Sequence, residues 1–240
     1  MTDRHGGVSQ APWDSMNLGD HVGDSPQSTQ VNRQRLHDTL GTRPVFLKQV
    51  HGVQSVLLDN ASEDGAEADA CISVAPGVAC TIMVADCLPV LMCDASGRWV
   101  AAAHAGWRGL AGDTGHGVLE ALLAAAPLCN TKPDDILVWL GPCIGPQAFE
   151  VGAEVVAVFC DSDPAAAGLF KPLPNNKWLA DLAGLARLRL NSLGVTRVHG
   201  NDGDAAWCTV TQASKFFSHR RDSPVFGHSG RMAACIWLGS

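Results

Sequence analysis

The sequence predicts an α+β domain with mixed β-sheets, on three observations. Strand-like apolar runs and helix-periodic stretches alternate irregularly rather than in a regular βαβ order. Several neighbouring strands are joined by short turns. The chain has 240 residues, 46% hydrophobic and 17% charged, enough for a sizeable core. With no internal repeat, low-complexity tract or linker, it reads as a single domain over residues 1–240.

Residues 1–30, rich in Gly, Ser, Asp and Asn, have no clean period and read as loop plus short strands. Val31 to Leu40 carries apolar positions at helical spacing and stops before Gly41, which predicts a helix. Strands follow around 45–50 and 53–58, then an acidic surface loop over 59–68, then a short strand from Ala70 to Val74 bounded by Pro76-Gly77. Residues 78–85 and 99–104 alternate little, so both faces of these strands are expected to be covered. Gly117 to Ala126 reads as a helix stopped by Pro127, and Ile136 to Leu140 as a strand entering the rigid turn Gly141-Pro142-Cys143-Ile144-Gly145-Pro146. Helices are expected from Gly152 to Cys160 and from Leu179 to Leu193, the second closed by Gly194. Strands are expected from Thr196 to His199 and from Met232 to Leu238.

Seventeen Lys and Arg against 24 Asp and Glu give a net charge of −7, which argues against a broad nucleic-acid surface but leaves room for a small anion held by a few arginines. No uninterrupted apolar run reaches the ~18 residues of a transmembrane helix, so no membrane partner is expected. Met1 to Gly7 lacks the apolar stretch of a signal peptide, which predicts a cytoplasmic protein. The nine cysteines are odd in number and lie mostly in apolar runs (Cys71, Cys80, Cys93, Cys235), as buried reduced thiols do.

Three apolar runs end at reactive side chains. Val45-Phe46-Leu47 leads to Lys48-Gln49-Val50-His51-Gly52. The run from Val78 halts at Asp86-Cys87 and resumes, and the next stops at His104, followed by Gly106-Trp107-Arg108-Gly109. A buried strand gains nothing from an imidazole or a thiol without a partner. Two imidazoles and a thiolate suit zinc, and three protein ligands leave a fourth position for water whose pKa zinc lowers toward ~7. The spacing, 36 positions from His51 to Cys87 and 17 from Cys87 to His104, matches no local metal motif. Three unconnected core residues, or a Cys87 nucleophile with His104 as base, fit it equally. Asp86 shares the orientation of Cys87 only if the chain turns or bulges there, because neighbours on an extended segment point oppositely.

Arg108 presents a planar fork suited to phosphate or carboxylate, or a salt bridge at a strand end. Trp107 reads as a stacking surface for a base or as core. Phe216-Phe217-Ser218-His219-Arg220-Arg221-Asp222 reads as a second anion-binding element or as a basic loop. His21, His37, His116, His199 and His228 lie in polar or turn-like contexts and are expected at the surface.

The ordered motifs carry a resemblance. Arg4-His5-Gly6-Gly7-Val8-Ser9, Met16-Asn17-Leu18-Gly19, Val22-Gly23-Asp24 and Asn32-Arg33 are followed by Gln49-Val50-His51-Gly52, Ala68-Asp69-Ala70 and Ala85-Asp86-Cys87-Leu88-Pro89. Then come His104-Ala105-Gly106-Trp107-Arg108-Gly109, Gly141-Pro142-Cys143-Ile144-Gly145-Pro146, Phe149-Glu150-Val151-Gly152, Asp181-Leu182, Cys208-Thr209 and Phe217-Ser218-His219-Arg220-Arg221. From end to end the chain resembles the zinc-dependent purine nucleoside phosphorylases, a family also known as multicopper polyphenol oxidase or laccase-like. The resemblance implies an α+β fold with mixed β-sheets sandwiched between helices, and zinc on His51, Cys87 and His104. It also implies phosphorolysis of adenosine, inosine and S-methyl-5′-thioadenosine, with adenosine deamination besides.

The catalytic set then expected is Asp86, Cys87 and His104, with Asp86 as proton carrier. Arg33, Arg108 and Arg220 are expected on the phosphate, and Asn17 and Gln49 on the purine or sugar. The chain departs from the family pattern in a longer loop at Ala111–Gly117 and in Phe226-Gly227-His228-Ser229-Gly230-Arg231. Alternatives are copper-dependent phenol oxidation, a cysteine-type hydrolase or editing enzyme acting on a peptidoglycan precursor, and a non-catalytic zinc-stabilised partner. A multicopper site wants His-x-His pairs, and the nine histidines form none.

Overall fold

The computed structural model describes residues 1–125 and 130–239. In chain order the elements are α1 (Pro26–Leu40), β1 (Arg43–Phe46), β2 (Ser55–Leu58), β3 (Ala70–Ser73), β4 (Val78–Val84), β5 (Leu88–Asp94), β6 (Val100–Ala105), α2 (Trp107–Ala111), α3 (Val118–Ala124) and β7 (Ile136–Leu140). They continue with β8 (Glu150–Gly152), α4 (Ala153–Ser162), β9 (Phe170–Leu173), β10 (Lys177–Ala180), α5 (Leu182–Ser192), β11 (Arg197–Gly200), α6 (His219–Phe226) and β12 (Met232–Trp237).

Three sheets result. The largest runs β11-β7-β5-β6-β3-β2, a second runs β1-β4-β12, and a small antiparallel one runs β8-β10-β9. The first two are mixed: β11 and β7, β2 and β3, and β1 and β4 are parallel, and their other pairs antiparallel. Alternation along each strand sorts the core into layers. Ala101, Ala103 and Ala105 of β6, Leu88, Val90 and Met92 of β5 and Val138 and Leu140 of β7 pack with residues of α2, α3, α4 and α5. The opposite face, with Leu91, Val100 and Ala102, meets Val78, Cys80, Ile82 and Val84 of β4 and Met232 and Ala234 of β12. On the far side of the second sheet, Leu36 of α1 packs on Phe46, Met83 and Ala233. Both large sheets therefore lie between helices, the α+β sandwich that the resemblance implied.

Several boundaries differ from expectation for local reasons. Residues 1–25 form no strand; their polar groups meet side chains instead, as where Asn32 Nδ2 donates to Ser9 Oγ, Ser15 O and Asn17 O. Helix α1 starts at Pro26 rather than Val31 because Ser25 Oγ accepts from Ser28 N and proline fits the first turn. The helix expected from Leu179 is split: Lys177–Ala180 pairs with β8 and β9, and Asp181 then caps α5 by accepting from Gly184 N. The stretch Phe216–Asp222, read as an anion-binding element or a basic loop, runs into α6, capped by Ser218 accepting from Arg221 N and closed by Gly227 at φ 75°. The last residue of the helix expected over 117–126, and Pro127 beyond it, lie outside the described residues. The eight described cysteines are free thiols, and among the described residues no helix is long and apolar enough to cross a membrane.

Phe217 ties the segment before α6 to the inter-sheet core. It is fully buried, the Arg4 guanidinium lies 4.8 Å above its ring, and a Cβ at Gly230 would sit 2.7 Å from it. Replacing Phe217 with Ala is expected to lower folding stability by about 3–5 kcal/mol, read as a fall in the urea midpoint by circular dichroism.

Candidate metal and anion-binding site

The chain crosses between the two large sheets where β4 ends and β5 begins, and Ala85-Asp86-Cys87 makes the crossing. Asp86 has φ 88°, a left-handed conformation that a non-glycine residue adopts only when its surroundings hold it there. This is the turn needed for Asp86 and Cys87 to face the same cavity. His51 follows β1 in a second left-handed position, φ 62°, and His104 sits on the inter-sheet side of β6. One ligand atom from each of His51, Cys87 and His104 falls within 4.8 Å of the others. Cys87 Sγ is 3.7 Å from His51 Nε2, and the two imidazole centroids are 4.7 Å apart at 72°.

A fully buried carboxylate organises this cluster. Asp69 Oδ1 accepts from His51 N at 2.9 Å and from His104 Nδ1 at 2.8 Å. Its Oδ2 accepts from Gly52 N at 2.6 Å and Val50 N at 3.1 Å. Burial alone would raise the Asp69 pKa, but the His104 hydrogen bond and the Gly52 and Val50 amides outweigh it and keep the group anionic. A carboxylate only accepts, so His104 Nδ1 carries the proton and Nε2 is turned to the cluster. Buffering a ring by a carboxylate in this way is the usual support of a metal-ligating histidine. Burial pushes the Cys87 thiol up, yet His104 and then His51 pull it down to about 6. Burial lowers His104, while the Cys87 thiolate and Asp69 together raise it to about 9. Gly106 completes the fit: a Cβ there would lie 2.9 Å from Cys87 Sγ and 3.0 Å from His51 Cδ2. Two imidazoles and a readily ionised thiol, with ring orientation fixed from behind, are a donor set that could hold a metal ion.

The cluster lines a cavity of about 460 Å³, with Trp107, Phe149, Ile144 and Met83 as apolar wall and Arg108, Arg220 and Arg231 as cations. Arg108 lies over the Trp107 ring at 4.3 Å, and Arg220 over Phe149 at 5.7 Å. Among the described residues none of these three arginines makes an ion pair, whereas Arg4, Arg33, Arg98, Arg189 and Arg221 all do.

The residues singled out from the sequence are distributed as follows. His51, Gln49, Asp86, Cys87, His104, Arg108 and Arg220 all line the cavity. Both Asp86 oxygens are engaged, by the Thr209 hydroxyl and by Arg220 N, so Asp86 also docks the first turn of α6. The Gln49 amide pairs with Met83 N and O at 2.8 Å each, extending the strand edge. Asn17 is not in the cavity: it is fully buried, donating to Gly19 O and Asp24 and accepting from Gly19 N and Arg231 N. Arg33 is also outside, between Asp20 and Asp64 with its guanidinium 4.0 Å over Phe46. His21, expected at the surface, is exposed and also lines the cavity. Sequence reasoning gave no role to Asp69, which stood only in the motif Ala68-Asp69-Ala70, or to Arg231, which stood only at the end of the departing stretch from Phe226.

Two measurements test this geometry. In chelator-treated protein, iodoacetamide should label Cys87 before the buried thiols, with a rate that rises through pH about 6 and levels off above it, and added zinc should slow the labelling. Asp69→Asn should weaken metal binding by about 10–100-fold in competition with a chromophoric chelator.

Comparison with known proteins places this geometry. A family model described as "Multi-copper polyphenol oxidoreductase laccase" matches residues 1–239. The purine nucleoside phosphorylase PA4543 of Pseudomonas aeruginosa is 50% identical, covering 99% of this chain and 92% of that protein. The purine nucleoside phosphorylase YfiH of Escherichia coli is 46% identical, covering 98% and 91%. Among solved structures, protein NMB0706 of Neisseria meningitidis superposes with a TM-score of 0.91 at 44% identity, covering 100% of this chain and 93% of that one. The match over essentially the whole length makes this chain a member of the laccase-like polyphenol oxidoreductase family, whose relatives at 46–50% identity carry the name purine nucleoside phosphorylase.

Proposed function

We propose that this chain is a zinc-dependent purine nucleoside phosphorylase of the cytoplasm. Its substrates are adenosine, inosine and S-methyl-5′-thioadenosine with inorganic phosphate, and it also deaminates adenosine. The observation that carries this reading is that guanidinium groups without carboxylate partners share one cavity with the His51–Cys87–His104 cluster. The names of the near-identical-length relatives point the same way.

Phosphorolysis forms a bond from a phosphate oxygen to C1′ of the ribose and breaks the glycosidic bond. The electron pair leaves with the purine, which takes up a proton. Arg108 and Arg220 offer planar forks that hold the phosphate and set its line of attack. Trp107 and Phe149 supply ring faces for the purine, and Ile144 and Met83 exclude water beside them. Gln49 shapes that wall by fixing Met83. His51, Cys87 and His104 would hold the zinc, which when bound supplies Lewis-acid polarisation of the substrate or of water. For the deamination, Asp86 is the proton carrier toward the departing ammonia. Asn17 and Arg33, outside the cavity, are given no substrate contact.

One observation supports a second reading. Cys87, His104 and Asp69 also stand in the order of a thiol nucleophile, its base and the group that orients the base. A cysteine-type hydrolase would use them without a metal.

Cys87→Ala is expected to lose bound zinc and to reduce hypoxanthine release from inosine and phosphate to background. Full zinc occupancy with normal turnover would overturn the ligand assignment. Chelation should abolish phosphorolysis and zinc readdition restore it; an activity that survives chelation but not alkylation would favour the hydrolase.

A further inference from the structure

Arg231 closes the stretch Phe226-Gly227-His228-Ser229-Gly230-Arg231 that departs from the family pattern, and its half-buried side chain lines the cavity without an ion pair among the described residues. Its backbone is clamped on both sides: Arg231 N donates to Asn17 Oδ1 at 2.9 Å, and Arg231 O accepts from Leu18 N at 3.0 Å. Its side-chain stem lies against Gly19, where a Cβ would sit 2.8 Å from Arg231 Cγ. One edge of the guanidinium is fixed by Nη1 donating to Ser229 O at 2.8 Å and Gly230 O at 3.1 Å. No carboxylate among the described residues reaches it. Arg189 and Arg221 have Glu120 and Asp222, and Arg187, which also lacks a carboxylate, engages Nε, Nη1 and Nη2 with the carbonyls of Val198, Gly200 and Asn201.

A guanidinium in such an enclosed place with no carboxylate bonded to it is costly, and the cost is offset when an anion enters. Burial accordingly pulls Arg231 below its ordinary pKa, against the opposing influence of Cys87 and Asp86. Asp86 lies in the same cavity, but its two oxygens accept from the Thr209 hydroxyl and from Arg220 N rather than from the Arg231 guanidinium. Arg231 lines the cavity on the side of Met83, Cys87 and His219, with its remaining N–H groups not engaged by any described residue.

We infer that Arg231 is the fixed element of an oxyanion subsite that takes inorganic phosphate beside the metal-binding cluster, with Arg220 and Arg108 closing on the same anion. Asn17 acts in this as a positioning residue, through the Arg231 backbone. The buried chain Asn17–Asp24–Ser9, with Asn32 bonded to Ser9, anchors it. The inference rests on the phosphorylase reading for its choice of phosphate as the anion.

The test compares the zinc-loaded wild type with Arg231→Gln, Arg231→Lys and, as a distant control, Arg197→Gln. Inorganic phosphate binding is measured by calorimetry, and the KM values for phosphate and for inosine by steady-state kinetics. Arg231→Gln should weaken phosphate binding and raise the phosphate KM about ten-fold or more, with the inosine KM changed less than about two-fold. Arg231→Lys, which keeps the charge but loses the fork, should fall between Arg231→Gln and wild type, and Arg197→Gln should match wild type. Unchanged phosphate affinity in a folded Arg231→Gln protein, or recovery of nothing by Arg231→Lys, overturns the assignment while leaving the phosphorylase reading intact. Phosphate binding that depends on Arg231 in a wild type that consumes no nucleoside retains the subsite and overturns the phosphorylase reading. A wild type that binds no phosphate overturns both.

Discussion

Four hydrogen bonds converge on one buried carboxylate, and the site depends on them. Asp69 lies at the entrance to β3, between the turn that carries His51 and the strand that carries His104. The three successive amides of Val50, His51 and Gly52 cradle it, so the left-handed conformation of His51 is fixed by the same group that sets the His104 ring. Leaving any of these donors unpaired inside the protein would cost the full desolvation of a polar group. The carboxylate therefore couples two distant parts of the chain into one geometry, and Cys87 completes it from a third.

The two-sheet architecture explains why the third donor arrives where it does. A strand that continued straight from Val84 would remain in the smaller sheet. The chain instead turns at Asp86 and enters the larger sheet as β5, paired with β6 so that Pro89 lies opposite His104. The thiol is thus delivered at the seam between sheets, where cavity and core meet. Asp86 holds the seam open by binding Thr209 and the first turn of α6, which brings Arg220 to the cavity rim.

Charge is distributed against the average. The chain carries −7 overall, yet the cavity gathers three arginines without carboxylate partners and a thiol that ionises readily. Such local polarity concentrates a small anion without attracting a polyanion to the surface at large. The family description speaks of several coppers, but among the described residues a single group of His, Cys, Asp and Glu donors is close enough to hold a metal ion.

The division between what was legible and what was not follows from the range of the interactions. Apolar runs marked β4 and β6 because burial on both faces leaves a continuous hydrophobic signature, and β7 because its short apolar run enters a rigid turn. Reactive side chains at the ends of such runs marked His51, Cys87 and His104, since a polar group there needs a partner. The strands of the small sheet β8-β10-β9 carried no such mark: they are short and partly polar, and Leu179 with Leu182 fits a helical spacing as well as a strand followed by a cap. The arginines were undecidable by residue type. Arg33 and Arg231 are chemically identical, but α1 sets Arg33 between Asp20 and Asp64, whereas β12 returning beside β4 carries Arg231 into the cavity. By itself the sequence determined the buried core strands and the donor types, which are local properties of burial and ligand chemistry. Only the tertiary structure decided which cations face the donors and which carboxylate holds them, because those pairings join residues far apart in the chain.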